Sequence, residues 1–306
     1  MTEHLNPIPS FIVKDYSAQS KKTLEVSLER FSKSDEVSRR ILSAFCAFRE
    51  ARQVYPVTED NFLSGERVPI IEAEETNETL LFQLFSGMYK ISFQLLREVL
   101  ELTLLQFYLY LQQDTQFLND WIKARKGTPS KKNLKSVLKT SNLYVSANKS
   151  IKLDSQLDSL YESLSRYTHT QGFVHSHQGL KTANRPVFSE IALRGFSEVY
   201  IATIKYCVFL IAIHFPNAII GFPVYQKFGY GGPICFIDQD HTEMVRAIFS
   251  ESELLVLEDL ASQNTDFQEL RSKVESMPDL SKEQIDETWE EIEGHMNPSL
   301  NNNFME

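Results

Sequence analysis

The stretch TNETLLFQLFSGMYKISFQLLREVLELTLLQFYLYLQQ, Thr76 to Gln113, decides the fold. Its apolar residues recur at helical spacing, which predicts one long central helix with Asn77 as its cap and Leu80 and Leu81 opening the apolar face. Gly87 marks a bend, because an interior glycine weakens a helix and permits close packing. From Leu100 to Leu111 apolar residues cover much of the circumference, as in a helix buried between other helices. Glu98, Glu101 and Gln106 interrupt every window long enough to cross a membrane. Packing alone does not ask for Arg97, Glu98 and Glu101 in such a segment.

Working outward, residues 1–17 read as an irregular arm and Gln19 to Phe31 as a short helix. Val37, Ile41, Leu42, Phe45, Phe48 and Ala51 keep a helical period after Ser34, and Pro56 stops that helix. Residues 56–75 read as a loop with a short strand over Val68 to Ile71. Downstream, Asp114 to Trp121 is a short helix or turn, and a breaker at Arg125 to Pro129 precedes a helix capped by Ser130 that runs to Lys139. Thr140 to Ser150 is a polar connection. Ile151 to Tyr167 is a helix buried through Leu153, Leu157, Leu160, Tyr161 and Leu164. A loop over Gln171 to Pro186 leads to the last long helix, Phe188 to Phe215. Phe222 to Ile237 alternates around central glycines and reads as a hairpin or extended arm. Short helices follow, the last opened by Ser281 with Gln284 as a capping box. The fold class is an all-α helical bundle built on a long central helix, with a small, mostly helical C-terminal extension that carries the hairpin. Along the chain it divides into an N-terminal arm and packing helices (1–75), the bundle core (76–215) and an acidic extension (216–306).

The 306 residues include 21 Phe and 12 Tyr, which predicts an aromatic-rich core, and the formal net charge of -10 argues against a general nucleic-acid binder. That average hides segregation. Trp121 to Leu153 holds nine Lys/Arg and no Asp/Glu, whereas Ile237 to the C-terminus holds eighteen Asp/Glu against four Lys/Arg. Cys46, Cys207 and Cys235, odd in number and far apart, fit free thiols in a reducing compartment. The first residues show no basic region leading into an apolar run, so the expected location is cytoplasmic, with no membrane partner.

Chemistry concentrates on two helices. Tyr161, Ser165 and His169 are spaced four apart and share a face; Arg166 and His175 lie close in sequence. Arg97 and Glu101, also four apart, can pair. Two readings stay open. In one, a cleft uses His169 or His175 as general acid or base and Arg97 or Arg166 as the phosphate-holding fork. In the other, the same residues form a satisfied polar network inside the bundle. His169, His175 and His177 have no nearby carboxylate or cysteine cluster, so no metal site is assigned, and no cofactor fingerprint is present. Lys123, Arg125, Lys126, Lys131, Lys132, Lys135 and Lys139 form a basic block able to contact nucleic-acid phosphates or to receive the acidic C-terminal region, from the same chain or a second copy.

Two segments resemble the HEPN-type helical proteins of bacteria and archaea, in particular their large uncharacterised branch. Ile91-Ser-Phe-Gln-Leu-Leu-Arg97-Glu98-Val-Leu-Glu101-Leu is similar to that branch's arginine-and-glutamate central helix. Leu160-Tyr161-Glu-Ser-Leu-Ser165-Arg-Tyr-Thr-His169 is similar to its later helix ending in histidine. Phe117-Leu-Asn-Asp-Trp121 followed by a basic helix fits the same pattern, and the resemblance covers roughly residues 76–214. It implies a helical bundle that often dimerises, in a group rich in ribonucleases and RNA-binding modules of toxin–antitoxin, phage-defence and CRISPR systems. The implied function is a prokaryotic antiviral defence or stress protein acting on RNA, as a metal-independent ribonuclease or a binder. The family signature sets a histidine shortly after an arginine. Here the histidines follow Arg166 by three, nine and eleven positions. Catalysis would therefore need His169 opposite Arg97 across the bundle. The alternative is a non-enzymatic oligomeric interaction subunit that binds a protein partner through the acidic C-terminal region.

Overall fold

The computed structural model describes residues 10–33, 35–55, 65–169, 171–182, 186–233 and 235–296. These residues form an all-α protein: fourteen α-helices, short 3-10 turns and no strand among the described residues. In chain order the helices are α1 Ser10–Ser32, α2 Glu36–Ala51, α3 Val68–Phe85, α4 Tyr89–Gln112, α5 Thr115–Ile122, α6 Lys131–Leu138 and α7 Asn142–Ile151. They continue with α8 Leu153–Thr168, α9 Glu190–His214, α10 Val224–Phe228, α11 Gln239–Arg246, α12 Glu251–Gln263, α13 Thr265–Glu275 and α14 Lys282–Met296.

Contacts gather the chain into two compact units, each assembled from three stretches, that cut across the three consecutive segments read from the sequence. The first comprises the described residues of Met1–Phe45, Val68–Leu138 and Leu153–Cys207; the second those of Cys46–Arg67, Lys139–Lys152 and Val208–Glu306.

In the first unit, α3 pairs extensively with α4. The stretch that opened the sequence reading is thus two antiparallel-paired helices rather than one long one, as their short connection requires. The break falls at Gly87, whose φ of +78° is a left-handed conformation that L side chains rarely adopt. A Cβ there would lie 2.7 Å from the Val187 backbone N and 2.8 Å from Thr23 Cγ2. Close approach of another segment, invisible in local sequence, converts the expected bend into a chain reversal.

Other expectations are corrected here too. Val68 to Ile71 is the first turn of α3, not a strand; Pro69 suits that turn because its missing N–H has no helical partner there. Asn77 is not a cap but a buried mid-helix residue whose Oδ1 accepts the Tyr200 hydroxyl at 3.1 Å. The start of α3 is served instead by Gln106 of α4, whose Oε1 accepts the Ile70 N–H at 3.2 Å. Helix α1 already spans residues expected in the irregular arm. The roles read for Pro56 and for the last residues, 297–306, lie outside the described residues.

The core of this unit is aromatic. Phe93 of α4 stacks on Tyr167 of α8 at 3.5 Å between ring centroids and meets Phe196 of α9 edge-on at 5.2 Å. Each fully buried Phe or Leu contributes about 1.5–3 kcal/mol. Cys207 is buried in the core, and that burial pushes its thiol up to about 12.

In the second unit the expected polar connection Thr140 to Ser150 is helix α7. Ser141 caps it by accepting the Tyr144 N–H at 3.3 Å, and only Tyr144 and Ala147 are fully buried on it. So thin an apolar stripe leaves little periodicity to read. Among the described residues the hairpin expected at Phe222 to Ile237 is also absent. That stretch is α10, a 3-10 turn at Gly229–Gly231 and a single parallel bridge between Phe222 and Asp238. Phe222, Ala261, Phe267 and Val274 form its hydrophobic cluster, joined by Phe228 and Phe236. The alternating aromatics serve as anchors in that cluster instead of sheet partners. The capping box of α14 is present: the Ser281 N–H donates to Gln284 Oε1 at 2.9 Å and the Gln284 N–H to Ser281 Oγ at 3.3 Å. Helix α9 is long and apolar enough to cross a membrane by length and composition, yet 72% of its most apolar window is buried inside the protein.

Candidate functional site

The charged residues that the central stretch could not explain by packing open onto a groove of the first unit. Its cavity of about 700 Å³ is lined by Arg97 and Glu101 of α4, by Asp158, Tyr161, Glu162 and Ser165 of α8, and by Thr128 to Lys131 at the start of α6. Residues three, four and seven apart share a helix face, so α8 presents its four groove residues together while Leu153, Leu157, Leu160 and Leu164 are buried.

Arg97 is the hub. Its Nε donates to Glu101 Oε1 at 3.0 Å, an Nη donates to Ser165 Oγ at 3.4 Å, and its guanidinium carbon lies 5.8 Å from the Tyr161 ring centre. Lys131 Nζ stands 5.3 Å from the same centre. Two cations over one ring are held by its negative face. Tyr161 is buried, and its hydroxyl has no hydrogen-bond partner among the described residues. Burial, then the Glu101 carboxylate, push that hydroxyl well above the usual phenol range, with Arg97 opposing. Tyr161 is therefore a neutral platform and no base. Glu98 lies on the exposed side of α4 outside the groove lining, and partial burial, then the Glu72 and Glu101 carboxylates, raise its carboxyl above the ordinary range.

The opposing wall is an ion-pair ladder. Lys131 reaches Asp158 at 3.0 Å; Lys135 reaches Asp158 at 2.7 Å and Asp154 at 3.9 Å. Hydrogen bonds from Lys135 and Lys131 hold the Asp158 carboxyl below its ordinary range. Asp158 and Glu162 were missed as groove residues. The signal was available: Lys131 and Lys135 are one turn apart on α6, as are Asp154 and Asp158 on α8, with opposite charge.

The structure thus brings Arg97, Tyr161 and Ser165 together and leaves the histidines elsewhere. His169 follows the end of α8, exposed, its backbone N–H bonded to Ser165 O at 2.9 Å, and it is not among the groove residues. Arg166 is exposed and ion-paired with Glu162. His175 packs edge-on against Tyr167 at 4.7 Å, with Nδ1 2.8 Å from Gln171 O. His177 lines a separate cavity of about 400 Å³ beside Tyr16, Met88 and Lys90. Among the described residues no cluster of three or more His, Cys, Asp or Glu is placed to hold a metal ion.

The basic block is largely engaged by its own surroundings. Besides the ladder, Arg125 and Lys126 both pair with Asp120, at 3.9 and 3.5 Å. Lys123 and Lys132 are exposed, and Lys139 falls in the second unit. Comparison of the chain with protein-family models, with characterised proteins and with solved structures finds no match.

Proposed function

We propose that the Arg97 groove binds the phosphate backbone of single-stranded RNA, in keeping with the resemblance to HEPN-type proteins, and that the protein serves in prokaryotic defence or stress as an RNA binder. One observation carries this reading: residues from three distant stretches, Arg97, Lys131 and Ser165, converge with the Tyr161 ring in an open groove. Arg97 spends two of its five N–H donors on Glu101 and Ser165, and a guanidinium fork suits phosphate oxygens. Lys131 supplies a second cation. The carboxylates of Glu101 and Asp158 compete with phosphate for both, so binding is expected to be modest and strongly salt-dependent. With His169 outside the groove, the reading is binding without cleavage.

Fluorescence anisotropy with a labelled single-stranded RNA tests it. The intact protein should bind at low salt, and Arg97→Ala or Lys131→Ala should weaken binding by about tenfold, the effect of losing a charge-assisted contact. Arg97→Lys separates lost fork geometry from lost charge. Absence of binding at low salt, or variants that bind as tightly as the parent, overturns the reading. RNA cleaved in the same tube and protected by His169→Ala would restore the ribonuclease alternative.

A further inference from the structure

The second unit carries an exposed aromatic face beside a helix whose exposed carboxylates, unlike those of the groove, have no salt-bridge partner among the described residues. Tyr225 of α10, Tyr230 of the following 3-10 turn and Trp289 of α14 are 44%, 47% and 44% exposed. They form one chain of rings: Tyr225 to Tyr230 at 5.0 Å and 90°, Tyr230 to Trp289 at 4.7 Å and 57°. The face is built to hold these rings in place. The Tyr225 hydroxyl donates to that of Tyr230 at 3.1 Å, and the Tyr230 N–H donates to Thr288 Oγ1 at 3.1 Å. Gly229 has φ +62°, and a side chain there would collide with Thr288 Oγ1. Lys227, only 9% exposed, ties α10 to the α13–α14 connection through Asp279 at 2.7 Å and the Met277 carbonyl.

Helix α14, which carries Trp289, also carries Glu283, Asp286, Glu287 and Glu290, all exposed and none with a salt-bridge partner among the described residues; Ser281 hydrogen-bonds Glu283. Asp286 is near enough to act on the Tyr225 hydroxyl. Rings that attract cations through their faces, beside carboxylates with no cation, define the chemistry of what fits. Exposed Trp and Tyr are also the residue types that carry most binding energy in protein interfaces.

We propose that this face docks a lysine- or arginine-rich segment of a partner protein. A second copy of this chain is the poorer occupant, because four residues of its own basic block, Arg125, Lys126, Lys131 and Lys135, are already held by Asp120, Asp154 and Asp158. The inference gives a place and a chemistry to the interaction role read from the acidic extension. It shares no residue with the groove, so either can fail while the other stands.

The chain has two tryptophans, so Trp121→Phe leaves Trp289 as sole reporter. Titration of that full-length protein with a lysine- and arginine-rich peptide should change Trp289 fluorescence saturably, and a glutamate-rich peptide of equal length should not. By anisotropy of the labelled basic peptide, Trp289→Ala should weaken binding about tenfold, as expected for an interface anchor. The double variant Asp286→Asn, Glu290→Gln keeps the rings and should also weaken it. Circular dichroism verifies folding of each. No saturable change, or full affinity in Trp289→Ala with loss only in the charge variant, overturns the proposal. So does concentration-dependent self-association in sedimentation that Trp289→Ala abolishes, which would make a second copy the occupant.

Discussion

The two charged regions of this protein look like mirror images in sequence and behave oppositely in structure. The basic region of the first unit is dense in lysine and arginine, yet Asp120, Asp154 and Asp158 engage most of it. The acidic helix α14 of the second unit carries six acidic residues against one lysine, and among the described residues Glu283, Asp286, Glu287 and Glu290 have no salt-bridge partner. Charge density along a chain is therefore a poor measure of charge available to a partner. Surface ion pairs are individually weak, but each lowers the net field a ligand meets.

The contrast can be broken most forcefully at the α3–α4 break, which sets Arg97 and the rest of α4 against the groove. Gly87→Ala combines a left-handed backbone with overlap on Val187, and should destabilise the protein by about 4 kcal/mol. Urea denaturation measures this; a loss within 1 kcal/mol, on the scale of an ordinary surface change, would mean the reversal does not need glycine.

Next in size is a pH effect confined to the second unit. His214 is buried, with Nδ1 2.9 Å from Leu210 O and Nε2 3.1 Å from Ser141 Oγ, and burial pushes it down to about 4. With the folded value below the unfolded one, the unfolded chain takes the proton first. This contribution is intact above pH ~6.5, falls as pH drops toward 4 and is flat below, a loss of about 3 kcal/mol. His214→Gln should flatten that part of a stability-versus-pH curve, and an unchanged slope would exonerate His214. The Asp158 carboxyl is also shifted down, by its lysine partners rather than by burial, so its ladder should hold until the pH falls below the ordinary carboxylate range.

A smaller effect sharpens the charge comparison itself. Lys135 is 18% exposed and serves two aspartates, so Lys135→Ala should cost about 1 kcal/mol in thermal unfolding. Asp286→Asn, with no partner to lose, should change stability by under ~0.5 kcal/mol. Equal effects at the two positions would erase the distinction between paired and available charge.

Much of the fold was legible locally. The buried stripe Leu153, Leu157, Leu160, Tyr161 and Leu164 of α8 is as its spacing predicts, and the Ser281–Gln284 capping box is formed. Helix α7 escaped because two buried side chains carry it. The hairpin expected at Phe222 to Ile237 failed because alternation there feeds a hydrophobic cluster, and the described residues form no strand. Of the candidate site, the residue types and their faces were readable on each helix. Asp158 could have been paired with the lysines from the one-turn spacing of Lys131/Lys135 and Asp154/Asp158, whereas Glu162, a lone carboxylate on an exposed helix face, looks the same whether it meets water or a cation.

By itself, the sequence determined the helical class, the apolar faces and the placement of Arg97 with Glu101 and of Tyr161 with Ser165. These follow from the helical period and the hydrophobic effect, which act over a few residues. The tertiary structure alone decided that Thr76 to Gln113 folds back on itself at Gly87, that Arg97 meets Ser165 while His169 stays outside, and which charges are spent. Each depends on a partner distant in the chain, and the energy that selects it comes from contacts no local window contains.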